Sequence, residues 1–109
     1  MTAMEALPEI VTEHLAEVRA LCEKYGVKKL GIFGSAVKGT FDPETSDLDF
    51  VVEFFPREPT GFKDVYFGLS RALEDLFQRN VDLVERKAVR NPYFLKVLEL
   101  SEQQLYVAA

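Results

Sequence analysis

The chain is poor in several things, and each shortage narrows what the protein is. Its 109 residues include one cysteine, Cys22. No internal disulfide can form, and a reducing, cytoplasmic setting is expected. No apolar run approaches the ~18 residues of a membrane span, and the acidic segment Met1–Pro8 lacks a signal-peptide pattern. Positive charge is scarce: 13 Lys and Arg against 18 Asp and Glu give a net charge of −5. That balance argues against free-standing nucleic-acid binding, which leaves a basic footprint, and suits a basic protein partner. Repeats, low-complexity stretches and long linkers are absent, so one domain over residues 1–109 is expected.

Apolar residues are plentiful: 48% of the chain is hydrophobic, with nine Phe and four Tyr. That is enough for one core, yet a domain of this size leaves much surface exposed. A partner or self-association is expected to cover part of it.

Periodicity divides the chain into elements. Residues 9–25 place Ile10, Val11, His14, Leu15, Val18, Leu21, Cys22 and Tyr25 on one helical stripe that stops at Gly26. Residues 28–33 read as a strand running into Gly34-Ser35, and Ser35 as the cap of a short helix ended by Gly39. Thr40–Ser46, with Asp42-Pro43, is a polar turn. Residues 47–55 form a second strand, closed by Pro56 and Pro59. Its core side is Leu48, Phe50, Val52 and Phe54; Asp47, Asp49, Val51 and Glu53 face the other way. Residues 62–79 carry the stripe Phe62, Val65, Tyr66, Leu69, Leu73, Leu76 and Phe77. Asn80–Glu85 is a third strand, with Val81 and Leu83 opposite Asp82 and Val84. A basic connection, 86–90, leads to a helix over 92–101 with Pro92 near its start. Gln104–Ala108 is either an edge strand or a tail. This order predicts an α+β fold: a small mixed sheet with helices packed on one face.

The chemistry lies in Gly34-Ser35 and Asp47-Leu48-Asp49. Strand side chains alternate, so Asp47 and Asp49 share a face. At ~5 Å and an effective dielectric of ~20 two carboxylates repel by about 3 kcal/mol, a cost that a cation between them converts into affinity. The Gly-Ser turn offers close backbone approach and N–H donors for a phosphate. Aspartate disfavours strands, so two of them within an apolar run point to a metal-bound nucleoside triphosphate rather than a plain surface turn.

With Asp82 in Val81-Asp82-Leu83-Val84, the pattern resembles the nucleotidyltransferase superfamily related to DNA polymerase β. In size the chain resembles its minimal nucleotidyltransferase branch, whose members are commonly encoded beside HEPN-domain proteins as toxin–antitoxin pairs. The resemblance covers roughly residues 28–85 by motif. It implies a polymerase β palm-like fold and two Mg²⁺ ions held by Asp47, Asp49 and Asp82, the catalytic carboxylates. It further implies ATP as substrate, with Gly34, Ser35 and Lys38 meeting the triphosphate. Many relatives have Arg where this chain has Lys38, a point charge rather than a fork. The implied reaction is AMP transfer to a tyrosine hydroxyl of a HEPN ribonuclease toxin, for which the chain acts as antitoxin. Two alternatives remain open: neutralisation by binding alone, or transfer to RNA ends or a small molecule.

Other conspicuous residues read more plainly. Glu53 suits a solvated or salt-bridged strand position, His14 a packed one, and Cys22 the core. Phe62, Tyr66, Phe67 and Phe54-Phe55 suit core or interface. Arg79, Arg86, Lys87, Arg90 and Lys96 form a basic segment whose simplest reading is a solvated face, and which otherwise would touch triphosphate or RNA.

Overall fold

Four strands and five α-helices form among the described residues. The computed structural model describes residues 7–39, 41–42, 44–56 and 62–108, excluding the side chains of residues 62 and 63. The expectations placed on residues 1–6, Thr40, Pro43, Pro59 and the Phe62 side chain lie outside these residues.

The first helical stripe forms two helices, α1 (Glu9–Thr12) and α2 (Leu15–Lys24), not one. The break has a local cause. The His14 ring nitrogen Nδ1 lies 2.7 Å from the Ile10 carbonyl, where the next backbone N–H of a continuous helix would donate. The His14 N–H bonds back to Val11 instead, at 3.1 Å, a tighter turn that shifts the helix axis. Gly26, at φ +69°, then turns the chain into β1 (Val27–Phe33).

After β1 come α3 (Ser35–Lys38) and β2 (Leu48–Phe54). Helix α4 (Phe62–Phe77) crosses to β3 (Val81–Glu85), and a 3-10 turn (Arg86–Ala88) leads to α5 (Pro92–Ser101) and β4 (Gln103–Val107). The sheet order is β3-β2-β1-β4. Strand β1 is antiparallel to β2 and β4, while β2 and β3 run parallel. The last segment is therefore an edge strand, and the sheet is mixed.

The core lies on one face. Leu30, Ile32, Leu48, Phe50, Val52 and Leu83 meet Val11, Val18 and Cys22 from the first helices and Leu69, Leu73 and Phe77 from α4. Phe50 and Phe77 stack with centroids 5.9 Å apart. Burial of such side chains contributes ~1.5–3 kcal/mol each. The plain readings hold here. Cys22 is wholly buried, and burial pushes its thiol up to about 12. His14 packs edge-on against Phe77, and Glu53 pairs with Lys28 at 3.7 Å.

The opposite face is partly covered. Phe94 of α5 meets Phe33 edge-on at 5.9 Å, and the Glu102 carboxylate lies over Gly31, paired with Arg86. This cover explains why Val51, on the aspartate side of β2, is only 2% exposed.

Candidate functional site

The site grows from the turn that ends β1. Gly34 sits at φ +74°, ψ −145°, a backbone region that only glycine enters cheaply. It also faces Asp49: a Cβ on Gly34 would strike the carboxylate Oδ2, with the carboxyl carbon 3.2 Å away. Gly34 occupies the cap position of α3, so Ser35 is the first helical residue rather than the cap. The Gly34 carbonyl accepts from Val37 N and Lys38 N, each at 3.1 Å. Lys38 is exposed at the end of that short helix.

Strand register fixes the two central carboxylates. Asp49 pairs with Phe33 on one side and with Asp82 on the other. Gly34, Asp49 and Asp82 thus form a line across three strands. Asp49 is half-buried, and its carboxyl is held above the usual range. Burial is the largest cause, followed by the charges of Asp82 and Asp47 and a hydrogen bond with Asp82.

Asp47 falls outside the strand. The pairing that joins Phe33 to Asp49 would bring residue 35 opposite Asp47, but β1 has already turned away at Gly34. Asp47 is therefore exposed on the loop entering β2. That loop is tied down locally: Asp42 N donates to Ser46 Oγ at 2.8 Å, and the Asp42 carboxylate accepts from Glu44 N at 2.9 Å. The Glu44 amide, a Thr45 hydrogen bond and the Arg79 charge hold the Asp42 carboxyl below its ordinary value.

Three side chains that the sequence marks only as core, interface or solvated face make structural contacts around the site. Arg79 donates to the Ser46 carbonyl at 3.0 Å and lies over the Phe41 ring at 5.0 Å, anchoring the segment just before Asp47. Tyr66 donates its hydroxyl to the Leu83 carbonyl, clamping α4 to β3 beside Asp82. Burial, then Asp82 and Glu85, raises the Tyr66 phenol. Arg86 is taken up by Glu102. Two members of the basic segment are thus structural, whereas Lys87, Arg90 and Lys96 are exposed.

Three carboxylates with half-buried Asp49 at their centre suit a hard divalent cation such as Mg²⁺, which takes carboxylate oxygens and keeps its waters. Burial and then the charges of Asp82 and Asp47 raise the Asp49 carboxyl, and both costs are ones such an ion would relieve. Among the described residues no three His, Cys, Asp or Glu side chains stand grouped so as to hold a metal ion. The set is an open acidic rim, with Asp47 at its exposed end.

A mixed sheet with its helical core on one face, and carboxylates from two parallel strands beside a Gly-Ser turn on the other, defines a nucleotidyl-transfer scaffold. The chain belongs to the nucleotidyltransferase domain family, whose model matches residues 18–103, and within it to the minimal nucleotidyltransferases. A Methanocaldococcus jannaschii protein provisionally named protein adenylyltransferase MJ1379 is 35% identical over 107 residues, 98% of this chain and 100% of its own length. A solved structure, provisionally assigned as a minimal nucleotidyltransferase, superposes with a TM-score of 0.72 at 26% identity, covering 87% of this chain and 92% of that one. The complex of a tri-AMPylated Shewanella oneidensis HEPN toxin with its MNT antitoxin contributes a chain with a TM-score of 0.63 at 16% identity. The match covers 89% of this chain and 72% of that one, and it is a likeness of fold. Membership makes the chain an enzyme of the nucleotidyltransferase class, as the Gly-Ser and aspartate pattern implied. Among the described residues no helix is long and apolar enough to cross a membrane.

Proposed function

We propose that this chain is a Mg²⁺-dependent protein adenylyltransferase that moves AMP from ATP to a tyrosine hydroxyl of a HEPN ribonuclease toxin, and so acts as its antitoxin. The observation carrying this reading is the line Gly34–Asp49–Asp82, with Asp49 and Asp82 paired across parallel strands and Gly34 against the Asp49 carboxylate. The name of the archaeal relative supports protein as the acceptor class. The modified HEPN toxin in the Shewanella complex supports the partner.

In this reading Gly34 and Ser35 lie against the triphosphate, with Lys38 one turn on. Asp47, Asp49 and Asp82 would hold two Mg²⁺ ions, which when bound neutralise the triphosphate and the leaving pyrophosphate. Asp82, nearest the free edge of the sheet, faces the attacking hydroxyl and draws off its proton. The phenolic oxygen forms a bond to the α-phosphorus, the bond to the β-phosphate oxygen breaks, and pyrophosphate leaves. Asp82 is exposed on the edge strand, which leaves room for a large acceptor. An RNA acceptor is less well served, because Arg79 and Arg86 are engaged within the protein.

The test incubates the purified chain with ATP, Mg²⁺ and the HEPN protein encoded beside it, followed by mass spectrometry. The expected result is AMP on a tyrosine of the HEPN protein and loss of its ribonuclease activity. AMP on RNA instead, or neutralisation without any modification, would overturn the reading.

A further inference from the structure

Beyond Asp82 the sheet ends, and its free edge opens into a cavity of about 620 Å³. Tyr66 and Phe67 of α4, Leu83 of β3, Val89, and Phe94 at the start of α5 line it, with Arg90 among its few polar groups. Helix α5, which gives Phe94 to the cavity wall, also carries apolar side chains in the open. Tyr93, Val97 and Leu100 stand at i, i+4 and i+7, one stripe of the helix, and are 81%, 49% and 79% exposed. Phe67, on the cavity wall, is 64% exposed. Scattered exposed apolar residues are ordinary; three on one stripe of the helix whose first turn, through Phe94, walls an aromatic cavity are not. In a chain of net charge −5, the exposed Arg90 lines the cavity and the exposed Lys96 lies on α5.

Strand order says which substrate this side serves. Gly34 lies at the β1 end of the line and Asp82 at the β3 end. In an in-line displacement the nucleophile arrives opposite the leaving pyrophosphate. With the triphosphate against Gly34, the acceptor comes from the β3 side, where the cavity opens. A cavity of this volume alone would suit a small molecule. The added stripe along α5 offers contact that only a macromolecule can use.

We propose that the β3-edge cavity and the outer stripe of α5 form one docking surface for the acceptor protein. The cavity takes apolar side chains flanking the modified hydroxyl, and Arg90 and Lys96 meet carboxylates at the partner's rim. This inference rests on the protein-acceptor reading above and adds the surface that selects the acceptor.

The experiment measures binding and chemistry separately. Phe67→Glu and Leu100→Glu change exposed positions away from the carboxylates, and circular dichroism checks their folding. Calorimetry with the purified HEPN protein should show affinity at least about tenfold weaker for each variant, as for charge buried in an apolar contact. In labelled-ATP assays KM for the HEPN protein should rise while KM for ATP holds. Wild-type affinity in both folded variants, or no wild-type complex, overturns the surface. So does light scattering that shows the stripe holding a second copy of this chain. A wild type that binds through the stripe but transfers no AMP leaves the surface standing and removes the chemistry.

Discussion

At Gly34 two constraints meet: a left-handed backbone and the Asp49 carboxylate where a methyl group would go. Gly34→Ala is therefore expected to lower stability by ~1–3 kcal/mol and to displace Asp49, abolishing AMP transfer; thermal melting with the labelled-ATP assay checks both. Asp49 carries a second consequence. Its carboxyl is raised in the folded protein, so folding favours its protonated form. The ionised form therefore destabilises the native state above the raised value. That penalty fades as pH falls toward the unfolded value of about 4. Asp49→Asn should accordingly melt above wild type at pH 7.5 without divalent ions, and the gap should narrow as pH approaches 4.5. A gap that stays constant or widens on acidification would contradict the assigned burial and repulsion. Stability is given up at this residue for the site it serves, the pattern expected where local rules break for function.

The elements show what a sequence reveals and what it hides. The period-2 runs in β2 and β3 put Asp49 and Asp82 on the same face of the sheet, and the parallel pairing of those strands, which the sequence did not show, sets the two side by side. Asp47 was harder to place, because where β2 begins depends on where its partner turns, and β1 turns at Gly34. The break at His14 was invisible because a ring nitrogen competes with the backbone for one carbonyl. Arg79 to Ser46 and Arg86 to Glu102 join residues 33 and 16 apart, and no local pattern encodes such pairs. Both boundaries of α5 were readable from Pro92 and the change of period, whereas its true cap, Asn91, shows in the structure by accepting from Tyr93 N at 2.8 Å. The end of α4 is strained: Gln78 follows it at φ +54° and is exposed. Gln78→Gly should raise stability by ~0.5–1 kcal/mol by removing the left-handed penalty, read as a higher urea midpoint with unchanged slope.

Across the whole molecule, function follows from strand order. The core helices occupy one face and leave the other for the carboxylates. The last third of the chain crosses to that second face, bringing Phe94 to Phe33 and Glu102 over Gly31. The acidic rim is thus bounded by the Gly-Ser turn at one end and by the β3 edge and α5 at the other. On the proposed reading the phosphate binds at the first flank and the acceptor at the second, and a net charge of −5 disfavours nucleic acid at the rim. The most direct test of the account is AMP transfer from α-labelled ATP by folded Asp47→Asn, Asp49→Asn and Asp82→Asn, each beside wild type with Mg²⁺ and the HEPN protein. The account predicts a loss of at least about a hundredfold in each variant. Transfer at the wild-type rate in any one of them would contradict it.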